Sequence, residues 1–263
     1  MNRNTDRKPY YLERKIRSAK RKIIWHILQK PLGVVLVSEF PKSGGSWYAK
    51  MLAEILDLPF PRNNTPSKFR SSVLLGHVPY KKRFHKPIYV VRDGRDVMVS
   101  AYYHFLFENE YNIPEFVRSN RKKLNFGDFD NIEKNLPRFI EYMYFTHGKE
   151  IGHTTWSNYI NEWTNTDALQ IKYEDLLSKP LEKMAESVEY LDKTVSLDKI
   201  KSVVENNTFS VIQKENNDKQ MSFARKGIAG DWKNHFSEEA KEVLKELGGK
   251  ELILLGYEEN DSW

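Results

Sequence analysis

The chain of 263 residues contains no cysteine. That absence excludes disulfides, thiolate metal sites, iron–sulfur clusters and a cysteine nucleophile together. Long apolar runs are missing too. The longest local stretch, Val34-Val35-Leu36-Val37, has the length of a strand, so no segment is suited to span a bilayer. No apolar stretch precedes a small-residue cleavage site near the N-terminus, which argues against a secretory signal and for a cytoplasmic protein. A general excess of one charge is also lacking. The formal charge is +6, yet the first thirty residues hold ten basic and two acidic side chains, and the remainder is slightly acidic. The basicity belongs to one segment, and no nucleic-acid partner is expected.

What is present reads as a folded chain. Hydrophobic residues make up 40% and aromatics 13%, and the length suits one large domain or two small ones. Leu12, Ile16, Ala19, Ile23 and Ile27 step by three or four. This spacing predicts a basic amphipathic helix over residues 1–31, ended by Pro31-Leu32-Gly33, with its apolar stripe packed on a domain of residues 32–263. Its basic face is available to an anionic membrane surface. Short apolar runs at 34–40, 73–76, 87–91 and 168–173 predict buried strands, with helices expected at 47–58, 96–107, 181–191, 196–205, 209–216 and 237–247. The alternation predicts a single α/β domain with a central parallel sheet flanked by helices. Residues 111–166 show no strand pattern and read as a helical insertion.

Three clusters carry chemistry. Phe40-Pro41-Lys42-Ser43-Gly44-Gly45-Ser46-Trp47 joins a strand to a helix. Small residues let backbone N–H groups approach an anion, and the helix N-terminus adds donors and partial positive charge. The order is not that of a Walker A loop, because the lysine precedes the glycines. The alternative is a plain glycine-rich connection. The second cluster runs from Arg92 to Ser100 through Asp93, Gly94, Arg95 and Asp96. A guanidinium and a hydroxyl two helical turns apart can grip a phosphate, or the four charges can form an ion-pair network. The third, Arg225-Lys226-Gly227-Ile228-Ala229-Gly230-Asp231-Trp232-Lys233, offers two cations and an unobstructed backbone N–H.

Together these clusters resemble the PAPS-dependent sulfotransferase family. Its phosphosulfate loop is usually Y-P-K-[ST]-G-T-[TS]-W, its 3′-phosphate element has the spacing of Arg92 and Ser100, and its C-terminal signature is R-K-G-x-x-G-D-W-K-x-x-F. Tyr173-Glu174-Asp175-Leu176 is similar to the family's Y-E-D-[LM], and Gly76-His77-Val78-Pro79 stands where the family carries T-H-[LF]-P. The resemblance implies a P-loop-NTPase-like sulfotransferase fold whose helical insertion covers the acceptor side. It implies that Lys42, Ser43, Gly44, Gly45 and Ser46 hold the 5′-phosphosulfate. Trp47 then stacks on adenine with Tyr173 and Phe209 nearby, and Arg92, Ser100, Arg225, Lys226 and Gly227 hold the 3′-phosphate. The implied catalytic set is His77 as base with Lys42 and Ser100. PAPS is the expected co-substrate, without a metal. His104 reads as structural.

Two positions depart from the pattern. Gly45 replaces the usual threonine, and Leu75 stands where many members carry a lysine. The short C-terminal dimerisation motif of some members is not found. The implied reaction moves a sulfuryl group to a hydroxyl or amine of a carbohydrate or glycolipid, with a small phenol or sterol as the next choice. Two alternatives stand beside it: an ATP-dependent P-loop kinase, and a non-catalytic protein that binds membranes or polyanions. Tyr102, Tyr103, Phe105, Phe107, Tyr111, Phe116, Phe126, Phe139 and Tyr142 enrich the acceptor side, or else form helix core.

Overall fold

The computed structural model describes residues 16, 18–61, 68–109, 114–147, 154–208 and 227–263. Strands β1 (Val35–Glu39), β2 (Val73–Gly76), β3 (Ile88–Val91) and β4 (Leu169–Lys172) form one parallel sheet in the order β2-β1-β3-β4. The register pairs Val37 with Leu75 on one side of β1 and with Ile88 on the other. Every residue of β1, β2 and β3 is buried. Continuous apolar runs instead of alternating ones follow from that, since helices cover both faces.

On one face, α2 (Gly45–Ile55), α8 (Pro180–Tyr190) and α9 (Leu197–Asn206) pack Met51, Leu52, Met184, Val188 and Ile200 against Val35, Val37 and Val90. The opposite face takes α3 (Gly94–Leu106), α5 (Ile132–Glu141), α6 (Trp156–Trp163) and the C-terminal α10 (Glu238–Leu254). Helix α4 (Pro114–Leu124) and a π-helical turn, Tyr142–His147, complete the insertion, which is helical as expected. The short α7 (Tyr173–Ser178) starts directly after β4, so Tyr173, expected to end a strand, opens a helix instead. Helix α10 runs about two turns beyond its expected end, through the pair Gly248-Gly249. Gly248 lies where a Cβ would come within 2.9 Å of the Tyr144 hydroxyl, so close approach explains the glycine there. The expected helix at 209–216 lies outside the described residues.

The basic N-terminal helix packs differently from its sequence pattern. Residues 18–23 are helical and run into a π-helical turn, Ile24–Leu28. Arg21, Ile24, Trp25 and Gln29, spaced by three and four, form the buried face. Ile16, Ile23 and Ile27 of the expected packing stripe are instead exposed, Ile27 by 68%. Leu12 lies outside the described residues. Trp25 sits so close beneath Gly76 that a Cβ there would approach the indole to 2.8 Å. The helix therefore supports the end of β2. Trp25→Ala is expected to destabilise the fold by about 3–5 kcal/mol, the usual cost of emptying a buried aromatic site, read from urea unfolding at neutral pH.

Candidate active site

The chain leaves β1 at its carboxyl end, pairs β2 on one side and then returns to pair β3 on the other. That reversal opens a crevice where parallel sheets place ligands. All four strand ends meet it. After β1 comes the 40–47 loop, after β2 His77, after β3 Arg92, and after β4 Tyr173.

The loop is tightly wound. Lys42 adopts φ +79° and Gly44 φ +92°, both left-handed, and Lys42 does so despite its side chain. A Cβ on Gly44 would lie 2.5 Å from the Tyr173 ring, so only glycine fits that close approach. The Ser43 hydroxyl is fully buried and has no hydrogen-bond partner among the described residues. Ser46 is half-buried in the first turn of α2. Trp47 donates its indole N–H to the Asn207 carbonyl at 2.8 Å and meets Tyr173 edge-on, with centroids 6.1 Å apart.

Glu39, which the sequence reading passed over as part of an apolar run, lies directly beneath this loop. It is 4% exposed, and its Oε2 accepts the Gly45 N–H at 2.6 Å. Burial pushes the carboxyl up to about 7, against the opposing effects of the Gly45 hydrogen bond, the Lys42 charge and the Ser43 backbone. The same carboxyl explains why Gly45 stands where threonine is usual. A Cβ at 45 would lie 2.8 Å from the Glu39 Cδ. The one legible signal was a lone acid ending a run of buried strand residues.

His77 is half-buried at the end of β2, and its Nδ1 lies 2.9 Å from the Glu39 carbonyl oxygen. A carbonyl only accepts, so Nδ1–H donates and Nε2 carries the lone pair. Burial holds the imidazole below its ordinary value. The Arg21 charge acts in the same direction, and the bond to the Glu39 carbonyl opposes both. Arg21 comes from the N-terminal helix and donates to the Leu75 carbonyl at 3.0 Å and the Pro61 carbonyl at 2.7 Å. A cation therefore stands near the position where Leu75 departs from the family lysine.

The Arg92–Ser100 stretch contains an ion-pair network. Arg95 is clamped by Asp93 at 2.7 Å and by Glu258, between the rings of Trp232 and Trp263 at 3.9 and 4.5 Å. Asp96 accepts the backbone N–H groups of Gly230 and Trp232 at 2.8 and 2.9 Å. These groups form a structural network that ties the C-terminal signature to β3. Arg92 differs. Its guanidinium lies 4.4 Å above Tyr173, contacts Asp96 at 3.5 Å, and keeps a buried Nε without a partner among the described residues. Ser100 is half-buried one turn beyond Asp96 on the same face of α3. Gly227 has φ +62°. Phe209, Arg225 and Lys226 lie outside the described residues.

His104 lies in α3, partly buried. Burial pushes it down to about 3, and the Lys42 charge adds to that, which sets the end of α3 beside the loop. Of the acceptor-side aromatics, Tyr102, Phe105, Phe139 and Tyr142 are core, Tyr103, Phe107, Phe116 and Phe126 are partly buried, and Tyr111 lies outside the described residues.

The raised carboxyl of Glu39 has a consequence for stability. Its folded form keeps a proton that the unfolded chain, titrating at its ordinary 4.5, has already lost, so stability falls as pH rises from about 4.5 to about 7. Glu39→Gln is expected to exceed the parent by up to about 3 kcal/mol at pH 8, with the difference closing towards pH 4.5. Urea unfolding of both proteins at several pH values measures it.

Comparison with known proteins gives a concordant picture. The sulfotransferase domain model matches residues 59–256. Sulfotransferase 1E1 of Rattus norvegicus is 23% identical over 265 residues, covering 81% of this chain and 81% of the relative. Sulfotransferase 1B1 of Mus musculus is 25% identical over 265 residues, covering 80% and 79%. The crystal structure of mouse sulfotransferase SULT7A1 complexed with PAP superposes with a TM-score of 0.60 at 19% identity, covering 83% of this chain and 84% of that one. Retinol dehydratase in complex with androsterone and PAP gives 0.53 at 18% identity, covering 83% and 80%. A match that takes in the carboxyl ends of β2, β3 and β4, with the same fold in solved relatives, makes this chain a member of the sulfotransferase family.

Proposed function

We propose that the chain transfers a sulfuryl group from PAPS to the hydroxyl of a small, largely apolar alcohol or phenol, with His77 as base. The observation that carries this reading is the set of unsatisfied polar atoms at the strand ends. The buried Ser43 hydroxyl and the buried Arg92 Nε have no partners among the described residues, and the Arg92 guanidinium reaches the Lys42 carbonyl at 3.5 Å. Buried polar atoms are rarely left so, and a doubly phosphorylated nucleotide has the acceptors they lack. Lys42, Ser43, Gly44, Gly45 and Ser46 would hold the 5′ end, and Arg92, Ser100 and Gly227, with Arg225 and Lys226, the 3′-phosphate. Trp47 and Tyr173 present ring faces for the base, joined by Phe209. PAPS, when bound, supplies the sulfuryl group and an oxygen leaving group.

The protein's own residues supply the rest. His77, held neutral by burial, takes the acceptor proton at Nε2. Lys42 places its ammonium where negative charge develops, and the N–H groups at the start of α2 reinforce it. Ser100 completes the catalytic set by fixing the nucleotide from α3. Of the acceptor classes named from the sequence, the small phenol or sterol has the better support. The end of α3 beside Lys42 carries the partly buried rings of Tyr103 and Phe107, 5.6 Å apart, and retinol dehydratase is crystallised with androsterone and with retinol.

Lys42→Ala and His77→Ala are expected to lower kcat at least 100-fold with labelled PAPS and a phenol and sterol panel. His77→Ala should retain PAP binding in a thermal shift. The parent's kcat/KM is expected to fall at acid pH with a midpoint below 6.5, because the base must be neutral. Full activity of His77→Ala would remove it from the role.

A second observation favours a peripheral membrane contact. Ile16, Ile23 and Ile27 form an exposed apolar stripe beside exposed Lys22 and Lys30, the combination that lies on anionic bilayers. The chain is expected to sediment with phosphatidylserine-containing vesicles and not with neutral ones. Salt and the pair Ile23→Asp/Ile27→Asp should each release it, and no sedimentation of the parent would refute the contact.

A further inference from the structure

Three features of the loop belong together. The N-terminus of α2 is the anion site, its first N–H is taken by the Glu39 carboxyl at 2.6 Å, and residue 45 is a glycine because that carboxyl fills the space of a Cβ. A resident anion therefore lies on the inner side of the helix end whose outer side is to receive a phosphate. Two anions on one helix end repel unless one is neutralised.

We propose that Glu39 is a proton-linked positioning residue: an anionic nucleotide binds this loop only with the Glu39 carboxyl protonated, so that binding at neutral pH takes up one proton from solvent. The inference rests on the nucleotide reading of the site. The hydrogen bond from Gly45 and the packing of the carboxyl under the loop supply the geometry. Titration near neutrality, where burial has placed this group, lets a modest field from the ligand decide its charge.

The groups facing it do not replace this role. Lys42, from the loop, is the cation that favours its ionised form. His77, from the end of β2, is held neutral and contacts the backbone carbonyl of Glu39, not its carboxyl. Tyr159, from α6, stays protonated because burial raises it well above its ordinary value, and its hydroxyl donates to Ser38. Tyr48, from α2, is likewise raised by burial and bonds Ser187. In register across the sheet, Val90 of β3 is apolar. With Glu39 the only one of these carboxyl, imidazole and phenol groups poised to change charge near pH 7, the linkage is expected to be its own.

The sign follows from linkage. Below about pH 6 Glu39 is protonated with or without ligand, and affinity is insensitive to it. Above about pH 7 the unliganded protein has lost the proton that the complex retains, so affinity falls as pH rises, by at most about tenfold per pH unit.

The test is calorimetric titration of the full chain with PAP between pH 6 and 8.5, in Hepes and in Tris, whose different ionisation enthalpies reveal proton uptake. The phosphates of PAP contribute equally to parent and variant, so the difference between them isolates Glu39. The parent is expected to take up close to one proton more than Glu39→Gln at pH 8, and the variant to bind PAP about tenfold or more tighter there while matching the parent at pH 6. A structural hydrogen bond alone would leave proton uptake unchanged. Gly45→Thr is expected to weaken binding, and Glu39→Thr/Gly45→Thr to restore it with the flat pH response, which provides a second route should Glu39→Gln fold poorly. Equal proton uptake by parent and variant, with PAP bound by both, overturns the inference and leaves the nucleotide reading standing. Failure of the parent to bind PAP at any pH overturns both.

Discussion

Strand β1 is buried on both faces and hydrogen-bonded along both edges, and the geometry of the site depends on that confinement. A strand so enclosed leaves its chain only one way out, through the carboxyl end, and α2 must fold back at once to cover Val35 and Val37. The return is made in five residues, which is why Lys42 and Gly44 take left-handed backbone angles and why Tyr173 presses on Gly44. A helix N-terminus at the centre of the sheet edge follows from the need to bury an apolar strand.

Charges buried beneath the surface then bring distant sequence to that edge. Asp96 binds the backbone of Gly230 and Trp232, Arg95 joins Asp93 to Glu258 between two indoles, and Glu174 accepts from the Asp93 N–H and the Tyr257 hydroxyl. Such networks owe little net stability to their ion pairs, since desolvation offsets much of the attraction. Their value here is positional. They place the segment after residue 226 against the start of α3. Removing one partner would leave a buried charge unmatched.

The strands were readable from their apolar runs to within a residue or two, because a sheet covered on both faces needs apolar side chains throughout. The glycine-bearing loop and Arg92 stand out in the sequence by composition, whereas His77 and Tyr173 are picked out only by the family resemblance. The N-terminal helix was not readable in this way, since the face it buries is chosen by what it packs against: Arg21 and Trp25 turn inward, where Arg21 meets the Leu75 and Pro61 carbonyls, and Ile23 and Ile27 are left to solvent. His104 also escaped: nothing local shows that the end of α3 comes within reach of the Lys42 charge.

Glu39 marks the division most clearly. From the sequence alone came the parallel α/β architecture, the anion-binding loop and its likeness to a sulfotransferase, because burial patterns and glycine-bearing turns are local properties written into neighbouring residues. Whether a lone acid at a strand end faces solvent, pairs with a lysine or lies under a helix terminus depends on what packs above it. Only the tertiary structure placed that carboxyl on the Gly45 N–H, excluded a Cβ from residue 45 and brought its titration near neutrality, because desolvation is set by the whole fold and not by the adjacent chain.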